Sequence, residues 1–149
     1  MKKRGIAFWI IQGPGWLLFT YLLIAQAIPA FNYEIGMAMG TQEPAAVISE
    51  VGVAFWQGFA WGDLLVYIPL LGAGLVGFLG KKQWGTITLA AALGITVYWP
   101  VVCLAAVVAA RGAQGWKLGD ETAYWIVLPA IAAWGAWALY SLAHKPRSL

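Results

Sequence analysis

One carboxylate lies inside a long apolar stretch of this sequence. Asp63 belongs to the run from Val51 to Leu79, which holds no other acidic residue. A charged side chain at membrane depth costs roughly 2.5–3.5 kcal/mol on insertion scales, so residues of this kind usually have a function. A carboxyl group in apolar surroundings can bind a cation, relay a proton or orient an amine or hydroxyl group. Asp63 is therefore the first candidate for a functional site.

Further polar and aromatic residues are candidates to surround Asp63, because they fall at a similar depth in their apolar runs. Tyr67 comes four residues after Asp63 and so shares its helix face. The full set of ligand-binding candidates is Asp63, Tyr67, Tyr98, Tyr21, Thr20, Trp61 and Trp99. An interhelical hydrogen bond that only fixes packing is the alternative for the polar members. The tryptophans either wall a flat apolar ligand or pack between helices and lipid.

Several other kinds of site are excluded or disfavoured. The chain has one cysteine, Cys103, and one histidine, His144. Thiol-pair redox chemistry and haem ligation by two histidines of one chain are therefore excluded. The letters Gly72-x-Gly74-x-x-Gly77 match a dinucleotide fingerprint, but no strand precedes them. We expect no metal and no cofactor. We also expect no nucleic-acid partner, because the basic clusters only flank apolar runs.

The composition indicates an integral membrane protein. The chain has 149 residues, of which 62% are hydrophobic and 10% charged, whereas an average soluble domain is about 25% charged. Four apolar runs, at about 6–28, 51–79, 84–110 and 123–143, exceed the ~18 residues that suggest a membrane helix. Helices satisfy the backbone without water. The predicted fold is all-α, a four-helix transmembrane bundle that forms one domain over residues 1–149.

The lysines and arginines predict how the bundle is oriented. They cluster in Lys2-Lys3-Arg4, in Lys81-Lys82 and after the fourth run at Lys145 and Arg147, and the connection from 29 to 50 has none. Positive residues collect on the cytoplasmic side of a membrane. We therefore predict that both termini are cytoplasmic and that the membrane is a plasma membrane, with a bacterial inner membrane favoured.

The first apolar run has a rival interpretation as a cleaved secretory signal. Ala25-Gln26-Ala27 has the small-x-small pattern of a cleavage site. The run is, however, longer than the ~7–15 apolar residues of a usual signal. We therefore predict that it is retained as a membrane span.

The connection between the first two runs is predicted to form an ordered outer cap over residues 30–50. Pro44 is typical of the first turn of a helix. A continuous helix from Pro44 to Leu79 would be ~54 Å long at 1.5 Å per residue, well beyond a ~30 Å hydrocarbon core. Either this helix projects outward as a cap, or it breaks near Gly52, Gly58 or Gly62. We favour a short interfacial helix, Pro44–Val51, that lies over the outer face.

Prolines and small residues recur within the apolar runs. Each run has one proline, and each proline leaves the carbonyl four residues earlier without its helical donor. Small residues four apart permit close helix contact. The prolines and the carbonyls that they free are Pro14 with Ile10, Pro69 with Leu65, Pro100 with Thr96 and Pro129 with Trp125. The pairs of small residues are Gly58 with Gly62, Ala90 with Gly94 and Ala132 with Ala136.

The sequence favours a small multi-pass protein that binds an apolar or weakly cationic ligand, or that serves as an accessory subunit of a membrane complex. Its expected partners are the lipid bilayer, a lipid-like small molecule and either further copies of the chain or a larger membrane complex. One alternative is an enzyme that acts on an isoprenoid-like or other lipid substrate with Asp63 as general acid or base. That alternative lacks a second catalytic group of clear identity. The other alternative is a purely structural assembly subunit.

Overall fold

A computed structural model describes residues 4–144, and every regular element in this range is helical. Four helical stretches are long and apolar enough to cross a membrane: Ile6–Phe31, Ala45–Leu79, Gln83–Ala110 and Thr122–His144. They are the first to fourth spans, and they confirm the predicted all-α fold with four apolar runs. Lys2, Lys3, Lys145 and Arg147, on which the predicted orientation partly rests, lie outside the described residues.

Two short π-helical segments interrupt the first and second spans. The elements in chain order are α1 (Ile6–Leu22), the first π segment (Leu23–Ala27), α2 (Ile28–Phe31), α3 (Tyr33–Ala38), α4 (Ala45–Gly62), the second π segment (Asp63–Tyr67), α5 (Ile68–Leu79), α6 (Gln83–Ala110) and α7 (Thr122–His144). Each π segment is followed by a proline near the start of the next helix, Pro29 or Pro69. Single π turns within helices often lie at functional sites, and Asp63 begins the second one.

The core lies where α5 packs against α1 and α6. Its fully buried side chains include Phe8, Ile11, Leu71, Leu75, Leu89 and Leu93. Near the turn that joins α5 to α6 the two backbones almost touch. A Cβ on Gly77 would come within 2.5 Å of the Gly85 Cα, and one on Gly74 within 2.7 Å of the Leu89 backbone nitrogen. Only glycine permits this approach.

The close helix contacts predicted from small residues do not occur at three of the named glycines. A Cβ added to Gly58, Gly62 or Gly94 would meet no neighbouring atom within 4 Å. The prediction is therefore wrong at these positions within this chain. The helices come close instead at Gly74 and Gly77. These two glycines belong to the pattern that resembles a dinucleotide fingerprint, and their lack of a side chain allows α5 and α6 to pack closely.

The cap is ordered and is tied to the spans by hydrogen bonds. The Asn32 side chain accepts a hydrogen bond from the Ile35 backbone N–H at 3.2 Å and so caps α3. The Tyr33 hydroxyl donates to the Glu43 carbonyl at 2.9 Å. The Gln42 amide donates to the Ala25 carbonyl at 2.8 Å. The first two bonds lie within the cap, and the third ties the cap to the end of the first span.

The second span is broken close to the first of the three predicted glycines. The break lies at Ser49, whose φ of 67° and ψ of 166° are not helical. Its hydroxyl accepts a hydrogen bond from the Gly52 N–H at 3.3 Å, as a residue that begins a helix does. The predicted break is therefore confirmed near Gly52, three residues before that glycine, whereas Gly58 and Gly62 lie within the helix. The short helix predicted as Pro44–Val51 begins at Ala45 and ends at this break.

Two backbone carbonyls that prolines leave free accept hydrogen bonds from side chains. The Trp134 indole N–H in α7 donates to the Ile10 carbonyl, four residues before Pro14, at 2.9 Å. The Ala25 carbonyl, which accepts from the cap, lies four residues before Pro29. The prediction that proline frees the Ile10 carbonyl for another donor is confirmed. These bonds link the first span to the fourth span and to the cap.

Candidate functional site

Asp63 is buried at the start of the second π segment. Its side chain is 4% exposed. Its Oδ2 atom is buried and has no hydrogen-bond partner among the described residues. A buried polar group without a partner is unusual and costly, because it loses its bonds to water without replacement. Asp63 therefore retains an unused acceptor within the fold.

A groove of about 560 Å³ between the second and third spans opens onto Asp63. Ligand pockets commonly have volumes of about 300–1,000 Å³. We call it the Asp63 groove, and it is lined by Ala54, Phe55, Gly58, Phe59, Gly62, Asp63, Val66, Tyr67, Ile95, Tyr98 and Trp99. Its walls are mostly apolar and aromatic, and Asp63 is its one carboxylate. Such a surface suits an apolar molecule with a single polar group.

Tyr67 lies beside Asp63 but uses its proton elsewhere. Its hydroxyl is 2.6 Å from the Thr96 Oγ1, and that Oγ1 donates its own proton to the Ala92 carbonyl at 2.9 Å. A threonine hydroxyl has one proton, so the Tyr67 hydroxyl is the donor of the shorter bond. Tyr67 thus stabilises the contact between the second and third spans and leaves Asp63 without a phenol donor.

Trp99 and Tyr98 form the third-span side of the groove. The Trp99 indole N–H is buried and has no hydrogen-bond partner among the described residues. Tyr98 is 64% exposed and lies on the groove wall. Asp63 and Trp99, which both line the groove, thus each carry a buried polar atom without a partner among the described residues, an acceptor on Asp63 and a donor on Trp99.

The structure brings together four of the seven candidates, because Asp63, Tyr67, Tyr98 and Trp99 all line the groove. The other three lie apart from it. Tyr21 lines a separate cavity beneath the cap. Thr20 is exposed, and its hydroxyl donates to the Trp16 carbonyl at 3.0 Å. The Trp61 ring packs edge-on against Phe31, with centroids 5.1 Å apart.

Four residues that shape the groove are not among the candidates predicted from the sequence. Phe55 and Phe59 supply aromatic walls, and Gly58 and Gly62 leave space where other residues would place side chains. The spacing in the sequence indicated the two phenylalanines, because Phe59 and Phe55 lie four and eight residues before Asp63 and so share its helix face. The glycine pair was instead interpreted as a helix contact. Its absent side chains open the groove.

The second cavity, called the cap cavity, has a volume of about 320 Å³. It lies between the cap and the four spans, and Trp99 is part of both its wall and that of the groove. Glu43 lies on its wall and close to Tyr33 of the cap. Burial and the Glu43 charge raise the pKa of Tyr33 to about 12, so this phenol keeps its proton at neutral pH.

No group of three or more histidine, cysteine or acidic side chains within residues 4–144 is placed to hold a metal ion. The chemistry available at the groove is therefore hydrogen bonding and charge at Asp63 within an aromatic and aliphatic wall.

Comparison with known proteins yields no relative. No protein-family model matches the chain, and neither the curated proteins nor the solved structures contain a significant match.

Proposed function

We propose that this chain is a multi-pass membrane protein that binds an apolar small molecule carrying an amine or hydroxyl group. The ligand lies in the Asp63 groove, and its N–H or O–H group donates to the carboxylate. The observation that carries this proposal is the groove itself, because it opens onto a buried Asp63 whose Oδ2 has no partner among the described residues.

Electrostatics supports a ligand with a donor at one end. A carboxylate in apolar surroundings is stabilised by an opposite charge or by hydrogen-bond donors. The neighbouring phenol of Tyr67 donates to Thr96 instead. An amine or hydroxyl group would form a charge-assisted hydrogen bond, which is roughly twice as strong as a neutral one. The apolar walls would cover the remainder of the molecule.

The groove also favours ligand binding over a purely structural role. A chain that buries Asp63 only for its own packing would be expected to fill the space around it with its own side chains. Here Gly58 and Gly62 leave that space open. Assembly of the chain into a homo-oligomer or a larger membrane complex remains a prediction.

The proposed location is a plasma membrane, with both termini cytoplasmic. Arg4, Lys81 and Lys82 support this orientation, because the Arg4 guanidinium donates to the Leu79 carbonyl at 2.7 Å and so lies beside the basic turn. Cysteines placed at Lys81 and at Glu34 in a Cys103→Ala background test it. An impermeant thiol reagent applied from outside should label position 34 and not position 81, and the reverse pattern would contradict the orientation.

The binding proposal is tested by titrating dodecylamine into protein in lipid nanodiscs while tryptophan fluorescence is recorded. We expect a saturable change in the unaltered protein, since Trp99 lies on the groove wall. Asp63→Asn should weaken the apparent affinity by about tenfold or more, because the amide lacks the charge that binds an ammonium group. Glu50→Gln is the matched control, since Glu50 is exposed and lines neither cavity.

Two outcomes would contradict the binding proposal. One is a fluorescence change that does not saturate in any variant, which would indicate partition of the amine into lipid alone. The other is equal affinity in Asp63→Asn and in the unaltered protein.

A further inference from the structure

The cap cavity has features of a second site that the groove does not explain. It is lined by the cap and by residues of all four spans. Trp99 separates it from the Asp63 groove, because the ring lines both. Asp63 itself is not part of its wall. The two cavities can therefore be altered one at a time.

Aromatic side chains surround the cap cavity. Tyr21, Trp56, Trp99 and Tyr124 come from four different parts of the fold and meet on its wall. The face of an aromatic ring attracts a cation, and groups of such rings are the usual recognition device for ammonium ions that carry methyl groups. Aromatic walls on several sides are thus suited to an organic cation.

The charge of the cap cavity matches the same class of ligand. Glu43 is on its wall, and the one ion pair among residues 4–144 joins Arg111 to Glu121, which leaves Glu43 without a cationic partner in that range. The cap, residues 30–50, contains three glutamates and no lysine or arginine. The local balance of charge is therefore negative.

A buried polar side chain also points to a ligand. Gln26 is 8% exposed and lies on the wall of the cavity. Its amide forms no hydrogen bond with another side chain or backbone group in the part of the chain that the structure describes. By contrast, the amides of Gln12, Gln42 and Gln57 all donate to backbone carbonyls. Gln26 therefore has hydrogen-bonding capacity left for an occupant of the cavity.

We propose that the cap cavity binds a small organic ammonium ion, with Glu43 supplying the opposite charge, the aromatic rings enclosing the cation and Gln26 bonding to a polar substituent. The volume of about 320 Å³ is at the small end of the usual range for ligand pockets. This site is distinct from the Asp63 groove and does not depend on it.

The test compares choline with 3,3-dimethyl-1-butanol, a neutral molecule of nearly the same shape. Binding to detergent-purified protein is followed by tryptophan fluorescence and by thermal stability. We expect choline to bind saturably and the neutral isostere to bind at least about tenfold more weakly, because only the cation gains from Glu43 and the ring faces. Glu43→Gln should weaken choline binding by a similar factor.

Matched variants separate this site from the groove. Glu50→Gln removes an acid that lines neither cavity, and Asp63→Asn alters only the groove, so both should leave choline affinity within about twofold of the unaltered value. Tyr21→Leu removes one aromatic wall from a half-exposed position and should weaken choline binding without unfolding the protein.

Three results would overturn the proposal. They are the absence of saturable choline binding, equal binding of the neutral isostere, and unchanged choline affinity in both Glu43→Gln and Tyr21→Leu. A loss of choline binding in Asp63→Asn alone would also count against it, because it would assign the ammonium ion to the groove.

Discussion

At the scale of single residues, Asp63 and Tyr67 show how neighbours on one helix face take different roles. Tyr67 is 2% exposed, and its hydroxyl is engaged by Thr96. Asp63 lines an open groove, and its buried Oδ2 atom has no hydrogen-bond partner among the described residues. The phenol contributes to helix packing, whereas the carboxylate lacks a hydrogen-bond donor for its Oδ2 atom. We therefore assign stability to Tyr67 and recognition to Asp63.

Tyr67→Phe tests the structural half of this assignment. The change removes the hydrogen bond to Thr96, whose hydroxyl still has the Ala92 carbonyl as a partner. We expect the free energy of unfolding to fall by about 0.5–1.5 kcal/mol. Reversible unfolding in sodium dodecyl sulfate measures it. Tyr98→Phe is the control, since that side chain is 64% exposed, and equal losses in both variants would contradict the role given to Tyr67.

At the scale of elements, the break in the second span depends on a serine in an unusual conformation. Ser49 has φ 67° and ψ 166°, a region in which residues other than glycine are strained by about 1–3 kcal/mol. Its hydroxyl caps the helix that follows. The strain and the cap act in opposite directions on stability, so substitutions can separate them.

Ser49→Gly and Ser49→Ala should change stability in opposite directions. Glycine relieves the strain and costs only a few tenths of a kcal/mol as a cap, so we expect the free energy of unfolding to rise by about 1 kcal/mol. Alanine keeps the strain and loses the cap, so we expect a fall of about 1 kcal/mol. Thermal unfolding of both variants measures the difference, and a fall in both would show that Ser49 is not strained.

The link between the first and fourth spans is a second property of elements. Pro14 leaves the Ile10 carbonyl free, and the Trp134 indole donates to it. We expect Trp134→Phe to destabilise the protein by about 1 kcal/mol more in the native background than in Pro14→Ala, where the residue 14 N–H satisfies Ile10. A double-mutant cycle on unfolding free energies measures this coupling. A coupling of zero would mean that the indole bond does not compensate for the proline.

At the scale of the whole molecule, the four spans were predictable because composition and run length determine them. The runs predicted at 6–28, 51–79, 84–110 and 123–143 correspond to spans at 6–31, 45–79, 83–110 and 122–144. The presence of a cap was also predictable from Pro44. Apolar length and helix punctuation are local properties, so a single sequence contains them.

The arrangement of the site was less predictable, because it depends on which faces of the spans meet. Thr20 and Tyr21 have suitable depth but lie apart from Asp63. Gly58 and Gly62 have the spacing of a helix contact and instead leave a groove open. Depth along a helix can be counted from the sequence, whereas the direction in which a face points is set by packing between helices.

The most direct measurement of the central claim is native mass spectrometry of Gly58→Leu, which fills the Asp63 groove without altering Asp63. A Cβ at Gly58 meets no atom within 4 Å, and leucine favours a helix over glycine by about 0.5–1 kcal/mol. We predict that this variant is at least as stable as the unaltered protein and loses a bound apolar molecule. Gly94→Leu, which has equally open space but lies outside the groove, should retain it. Retention of the same bound molecule by Gly58→Leu would contradict the account.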